Sequence, residues 1–244
     1  MVCKGEAAQN QTVDDIPWAS IKAKAPFWLP HRSIAWGISQ FYHGEVATAA
    51  LCRLIADVID CPVATAFLAT QIADEDRHAR IYARYLHEIG GEPGTNDVLR
   101  YLHSAIRHRA HDPLALVLAT HVVLESESLF LQQSLSPWLP CPLFTEINRV
   151  IAKDEARHHA FGRLYLLGIL PYRPLSERLA YARWIKAFWE PAIRTAARKL
   201  KPPGFQLLSG GWNKWLAVEW GERLDRLIAV GLLNPSERAL FVDP

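Results

Sequence analysis

A five-residue signature occurs twice in this 244-residue chain and constrains its fold more than any other feature. Residues 74–78 read Asp-Glu-Asp-Arg-His, and residues 154–158 read Asp-Glu-Ala-Arg-His. Residues three apart lie on the same face of a helix, so each copy places a glutamate beside a histidine. These pairs are Glu75 with His78 and Glu155 with His158. One Glu-x-x-His is weak evidence because any charged helix supplies it by chance, but two copies in long helices indicate a shared role.

An internal repeat extends this pattern to two further helices. Glu155 follows Glu75 by 80 residues, and the same interval separates Glu125 from Glu45. Each half therefore has a helix with one glutamate in an apolar stretch, followed 30 residues later by a helix with Glu-x-x-His. In a four-helix bundle, these positions bring four carboxylates and two imidazoles to one interior point. That arrangement resembles the one in ferritin-like di-iron and di-manganese proteins.

Buried carboxylates need a counter-charge, because an unpaired charge in an apolar interior is strongly unfavourable. Two divalent cations neutralise four carboxylates, and oxygen and imidazole ligands suit iron or manganese. The alternative is that the two motifs form surface salt bridges with Arg77 and Arg157, but Glu45 and Glu125 have no cationic neighbour at helical spacing. The predicted metal ligands are Glu45, Glu75, His78, Glu125, Glu155 and His158.

Glu127 competes with Glu125 for the ligand position. Two residues along a helix rotate the side chain by about 200°, so the two glutamates cannot share a face. The 80-residue interval selects Glu125. Glu127 is predicted to contact solvent or another helix.

Apolar periodicity predicts an all-α chain forming a single domain over 1–244. Residues 1–31 are predicted to be an irregular arm packed on the body. The predicted helices span 33–60, 63–89, 97–109, 114–135, 144–170, 175–200 and 212–232, and the sixth is expected to break or kink at Pro191. The di-metal bundle occupies 33–170, and residues 171–244 form a helical C-terminal extension.

The doubled signature, with single glutamates on the partner helices, resembles the O2-activating branch of the ferritin-like superfamily. That branch includes the bacterial multicomponent monooxygenase hydroxylases, the arylamine N-oxygenases and the ribonucleotide reductase small subunit. The resemblance covers residues 33–170 and implies a ferritin-like four-helix bundle with two iron ions at the six ligands, or an Fe/Mn pair, and O2 as co-substrate. The chain is shorter than a hydroxylase subunit, and Ile151 stands where N-oxygenases have an additional histidine.

The same resemblance suggests residues that support the ligands. Asp74 and Asp154 precede the motif glutamates and either orient a ligand histidine or pair with the adjacent arginines. His121, one turn before Glu125, is either a donor to the ligands, a seventh ligand or a core histidine with satisfied hydrogen bonds. Tyr82 lies where the reductase small subunit has its radical tyrosine, and the alternative is a bulky core aromatic.

Small and aromatic residues leave further alternatives open. Gly162 is the repeat mate of Tyr82, and together with Thr48 and Ala49 it predicts either a substrate cavity beside the metals or close helix packing. Five tryptophans follow Leu170: Trp184, Trp189, Trp212, Trp215 and Trp220. They indicate a lid over an apolar pocket, packing of the extra helices or a homodimer interface.

Composition excludes several classes of protein. The 27 basic residues nearly balance 25 acidic ones, which disfavours nucleic-acid binding, and the longest purely apolar stretches are shorter than the roughly 20 residues of a membrane span. The four cysteines are widely spaced, which argues against zinc, rubredoxin-like and iron–sulfur sites and indicates a reduced, cytoplasmic chain. Without a flavin fingerprint or a cysteine cluster, electrons must come from an external reductase or ferredoxin.

The sequence therefore predicts a non-haem di-iron oxygenase that hydroxylates or N-oxygenates a small organic substrate. A ferroxidase or iron store is the first alternative, although a compact store does not need the residues that follow Leu170. A radical-generating subunit is the second alternative, and Tyr82 is its only support.

Overall fold

A computed structural model describes residues 12–24, 31–135, 139–200 and 211–242. Within these ranges the chain is helical and contains no strand, which confirms the all-α prediction. The helices are α1 (His31–Val58), α2 (Pro62–Glu88), α3 (Asp97–Arg107), α4 (Pro113–Val117, Leu118–Leu124 and Glu125–Leu135), α5 (Pro142–Leu167), α6 (Leu175–Leu200) and α7 (Trp212–Ala229). Short 3-10 turns occupy Val13–Asp15, Leu170–Tyr172 and Pro235–Leu240.

Local sequence explains where these helices begin and end. Pro62 and Pro142 stand in the first turns of α2 and α5, where the missing N–H costs nothing. Gly90 has a φ of +73° just beyond α2, a conformation that glycine adopts without strain. Of the two outcomes predicted at Pro191, a break does not occur, because α6 continues through this proline. The hydroxyl of Thr195 donates to the carbonyl of Pro191, four residues earlier.

Helix α4 contains a feature that apolar periodicity did not predict. Its middle, Leu118–Leu124, is a π-helix, whose hydrogen bonds span one residue more than those of an α-helix. All seven residues of this segment are buried. By length and composition, Pro113–Gln133 is apolar enough to cross a membrane, but 72% of its most apolar window is buried inside the protein. Burial in the bundle accounts for this composition.

Helices α1, α2, α4 and α5 form the bundle, and their apolar residues divide into two clusters. The first cluster lies towards the C-terminal end of α1 and the N-terminal end of α2, and includes Leu51 and Phe67. The second lies at the opposite end and includes Phe41, Tyr85 and Phe144. Between the two apolar clusters, each of the four bundle helices contributes buried acidic or basic side chains. The bundle is therefore built as a polar layer between two apolar layers.

The arm and the C-terminal extension pack on this bundle. Ile16 and Trp18 of the arm are buried, as predicted for the part of the arm that the structure describes. Trp189 of α6 and Trp220 of α7 lie with ring centroids 5.3 Å apart in the first apolar cluster, so they pack the extra helices onto the bundle. The extension is thereby part of the core.

Glu127 makes the inter-helix contact predicted for it. Both of its carboxylate oxygens accept hydrogen bonds from the Arg223 guanidinium at 2.7 Å, and Oε1 also accepts one from Trp189 Nε1. Arg223 pairs with Glu219 on its own helix as well, and its side chain is only 4% exposed. This cluster joins α4 to the extension.

Replacing Arg223 with methionine removes the nearest cation from Glu127 and Glu219 and leaves Glu127 with Arg226 at 3.5 Å. We expect this change to lower the free energy of unfolding by about 3 kcal/mol. Arg53→Met is the matched control, because the Arg53–Asp76 pair is about half exposed and contributes less than about 1 kcal/mol. Urea unfolding of the metal-free protein, followed by circular dichroism, measures both. Equal losses of stability in the two variants would show that the Arg223–Glu127 pair does not hold the extension on the bundle.

Candidate metal centre

Four helices bring the six predicted ligands into the polar layer. Glu45 lies on α1, Glu75 and His78 on α2, Glu125 on α4, and Glu155 and His158 on α5. All six are at most 4% exposed. Their ligand atoms form two groups, each within 4.8 Å: subsite A consists of Glu45, Glu75, His78 and Glu155, and subsite B of Glu75, Glu125 and His158. The structure therefore brings together every side chain that the repeat singled out.

The motif glutamates lie between the two histidines. Glu75 points Oε2 at His78 Nδ1 (3.6 Å) and Oε1 at His158 Nδ1 (3.1 Å). Glu155 does the same, with Oε1 3.4 Å from His78 Nδ1 and Oε2 3.6 Å from His158 Nδ1. Glu45 and Glu125 each face one histidine, at 3.6 and 3.9 Å. Glu75 and Glu155 thus each face both histidines, whereas Glu45 and Glu125 each face one.

Each ligand histidine is oriented by the aspartate of the other motif. The Nε2 atom of His78 lies 3.1 Å from Asp154, and that of His158 lies 3.3 Å from Asp74. The carboxylate can only accept, so each Nε2 carries the proton and each Nδ1 faces the glutamates. The sequence predicted that an aspartate orients a histidine, but not that the partners are exchanged between the motifs.

The same aspartates also pair with the motif arginines. Asp74 and Asp154 therefore make both of the predicted contacts, one with a histidine and one with the arginines. Arg77 contacts Asp74 at 2.9 Å and Asp154 at 2.5 Å. Arg157 contacts Asp74 at 2.8 Å and Asp154 at 2.5 Å. The two arginines balance the two aspartates, and the four glutamates remain without a guanidinium among the described ion pairs.

Unsatisfied buried atoms indicate that this layer is built for cations. In the described part of the chain, no hydrogen-bond partner faces Glu45 Oε1, Glu75 Oε2, either oxygen of Glu155, or Nδ1 of His78 and His158. Such buried atoms are normally satisfied, and the exceptions require an explanation. Carboxylate oxygens and imidazole nitrogens suit iron and manganese. The donor set fits two such ions, one at each subsite.

Burial and charge shift the pKa values of the four glutamates in opposite directions. Burial raises the pKa of Glu45 and of Glu125, and the neighbouring carboxylates raise it further. Burial and the charge of Glu75 oppose ionisation of Glu155, but the neighbouring rings of His158 and His78 lower the pKa of Glu155 to about 2. Despite its burial, Glu75 has a lowered pKa, chiefly through the charge of His158. The two glutamates that face both histidines thus have lowered pKa values, and the two that face one histidine have raised ones.

The two histidines have raised pKa values in the metal-free centre. Burial alone would lower the pKa of His78, but the neighbouring carboxylates of Asp154 and Glu155 raise it. Burial likewise opposes charging of His158, but the charge of Glu75 and the hydrogen bond with Asp74 raise its pKa. In both rings the surrounding carboxylates therefore outweigh burial.

Gln71, which the sequence analysis did not single out, contacts both subsites. Its Nε2 donates to Glu75 Oε1 at 3.0 Å and to Glu125 Oε1 at 2.9 Å. Its Oε1 lies 2.9 Å from His121 Nε2. Gln71 lies one turn before Glu75 on the same face of α2, and that spacing could have identified it. His121 is therefore linked to the carboxylates through Gln71, and it belongs to neither group of candidate ligands.

The space expected beside Gly162 is occupied by a side chain. A Cβ at Gly162 would lie 2.3 Å from the Cβ of His121, so this glycine permits close helix packing, the second of the two alternatives. Tyr82 is a fully buried core aromatic, stacked on Phe41 with centroids 5.3 Å apart. Its hydroxyl accepts a hydrogen bond from Gln132.

Comparison with solved structures identifies the fold. Variants of an R2-like ligand-binding oxidase with a reconstituted Mn/Fe cofactor superimpose on nearly the whole chain. One, reconstituted aerobically, is 16% identical and aligns over 99% of this chain and 87% of its own, with a TM-score of 0.60. Another, reconstituted anaerobically, is 15% identical over 95% and 86%, with a TM-score of 0.62. The fold is ferritin-like.

The ferritin-like bundle confirms the architecture predicted from the doubled signature. The sequence matches no protein-family profile and no curated protein. At about 15% identity, the similarity to the oxidases establishes the fold, and the chemistry of this chain must be argued from its own side chains.

Binding of a divalent cation should release protons, because the carboxylates and the Nδ1 atoms of His78 and His158 must be deprotonated to coordinate, and the pKa values of Glu45, Glu125 and both histidines are raised. We expect the affinity for Mn²⁺ to rise with pH, and titration calorimetry in two buffers of different ionisation enthalpy to report net proton release. His159→Gln is the control, because burial lowers the pKa of His159 and this neutral ring has no proton to lose. Proton-independent binding would contradict the ligand assignment.

Proposed function

We propose that this protein is a di-metal oxidase that reduces O2 at a paired Fe/Fe or Mn/Fe centre and oxidises a small organic substrate. The observation that carries this proposal is the set of unsatisfied glutamate and histidine atoms facing one another between two apolar layers. The R2-like ligand-binding oxidases, whose solved structures hold Mn/Fe, support it through their common fold. The proposed ligands are Glu45, Glu75, His78, Glu125, Glu155 and His158.

In this proposal the protein provides charge balance and fixed ligand geometry. Four carboxylates would neutralise two divalent cations, and Glu75 and Glu155, which each face both histidines, would hold the pair together with Glu45 and Glu125. Asp74 and Asp154 keep the histidine Nε2 atoms protonated, so that Nδ1 is the coordinating atom. When bound, iron or manganese supplies the one-electron chemistry that O2 requires.

The surrounding apolar layers exclude water from this centre. Phe67 and Phe161 are stacked with centroids 4.3 Å apart on one side, and the ring of Phe67 meets that of His158 edge-on at 6.4 Å. Phe41 and Tyr82 form the corresponding stack on the other side. A dry environment protects a strong oxidant from quenching by solvent.

Electrons for repeated turnover must come from another protein, a reductase or ferredoxin. The four cysteines of the sequence do not form an iron–sulfur motif, and the described ones are free thiols. The proposed oxidation is a hydroxylation or an N-oxygenation of the substrate. Either reaction uses O2 and two external electrons.

The test is anaerobic loading with Fe²⁺ followed by exposure to O2, with metal content and O2 uptake as readouts. We expect two metal ions per chain in the wild type and loss of both metal binding and O2 uptake in Glu75→Ala, because Glu75 belongs to both subsites. Glu88→Ala removes an exposed glutamate of the same helix and should behave like the wild type. Continued O2 uptake on addition of an external reductant supports the oxidase.

Other results would favour the alternatives. Accumulation of a large iron core indicates an iron store, and a stable tyrosyl radical indicates a radical-generating subunit based on Tyr82. Two metals retained in Glu75→Ala, or no transition metal in the reconstituted wild type, would refute the proposed centre.

A further inference from the structure

The two subsites differ in how their carboxylates are held. In subsite B, Glu125 Oε1 and Glu75 Oε1 each accept a hydrogen bond from the amide of Gln71. In subsite A, Glu45 Oε1 and both oxygens of Glu155 have no hydrogen-bond partner among the described residues. The ligands follow the internal repeat, but their hydrogen bonding does not.

The repeat itself provides the comparison. The residue 80 positions after Gln71 is Ile151, and the residue 80 positions before His121 is Phe41. Both mates are buried side chains without a donor, so the half of the bundle that holds subsite A has no equivalent of the amide. Gly162 is paired in the same way with Tyr82. In one half of the bundle these positions hold the Phe41–Tyr82 stack, and in the other they hold His121 packed against Gly162.

The direction of each hydrogen bond in this network is fixed by chemistry. A carboxylate that binds a cation is ionised and only accepts hydrogen bonds, so in the proposed centre the NH2 group of Gln71 must face Glu75 and Glu125. Its carbonyl oxygen must then accept from His121, which places the proton of the neutral ring on Nε2. Gln71 and His121 are fully buried, and Gly162 leaves no room behind the ring for an alternative position. The network thus permits one orientation of the amide.

We propose that Gln71 is a positioning residue that holds Glu75 and Glu125 in the orientation required by subsite B, and that His121 holds Gln71. This inference rests on the di-metal centre proposed above. The consequence is unequal binding: subsite B is preorganised and binds its cation more tightly, whereas Glu45 of subsite A must be oriented by the cation itself. Outer hydrogen-bond partners of metal ligands typically contribute 10- to 100-fold to affinity.

The experiment is an anaerobic titration with Mn²⁺ alone, in which the electron paramagnetic resonance signal of free Mn²⁺ gives the bound fraction. We expect two classes of site in the wild type. In Gln71→Met the tighter class should weaken by about 10- to 100-fold, and the other class, which shares only Glu75 with it, should weaken less. Glu125→Ala should abolish that same class, and Glu45→Ala the other one.

Gln132→Met is the matched control. Gln132 is also a buried glutamine, 5% exposed, and it donates to Tyr82 rather than to a carboxylate. We expect this variant to bind both cations as the wild type does. An equal loss of affinity at both sites in Gln71→Met would indicate a merely structural role and would overturn the proposal.

A second pair of variants decides the question if Gln71→Met does not fold. His121→Gln retains a side-chain donor for the Gln71 carbonyl and should keep both classes, whereas His121→Leu removes the donor and should weaken the tighter class. Identical binding by His121→Leu and the wild type would refute the inference. A wild type that binds neither Mn²⁺ nor Fe²⁺ would instead refute the proposed function, so the two failures are distinguishable.

Discussion

Four buried glutamates that form no ion pair with an arginine among the described residues are the constraint on which the rest of this structure depends. Arg77 and Arg157 each pair with both aspartates, so the glutamates lie in an interior bounded by apolar layers and face histidines rather than arginines. Burial and neighbouring carboxylates raise the pKa of Glu45 and Glu125, and the surrounding carboxylates raise the pKa of His78 and His158. A pair of divalent cations would compensate the charge of the four glutamates in place of protons.

The internal repeat explains why this layer is nearly symmetric. Two similar helix pairs, related by the 80-residue interval, place equivalent carboxylates on opposite sides of one point. Exchange of the aspartates makes the halves interdependent, because Asp154 orients His78 and Asp74 orients His158. Neither helix pair can therefore form a complete ligand environment alone. The symmetry ends at Gln71, whose repeat mate is an isoleucine.

The sequence was sufficient to predict the bundle and the clustering of the six side chains, because those depend on helical spacing and on the cost of buried charge. The π-helix of α4 was not predictable from apolar spacing, which predicts an ordinary α-helix there. The exchange of Asp74 and Asp154 was hidden because it depends on which helices face each other. Gln71 was missed because an amide carries no charge that would need compensation.

The C-terminal extension acts on the part of the bundle that local propensity supports least. A π-helix is rare and needs tertiary contacts to persist. Asp112 caps the start of α4 and accepts a hydrogen bond from Tyr181 of α6 at 2.9 Å. Beyond the π segment, Arg223 of α7 holds Glu127, two residues after Glu125 and on the opposite face of the helix. The extension therefore restrains α4 on both sides of the π segment, and this restraint keeps Glu125 directed at the centre of the polar layer.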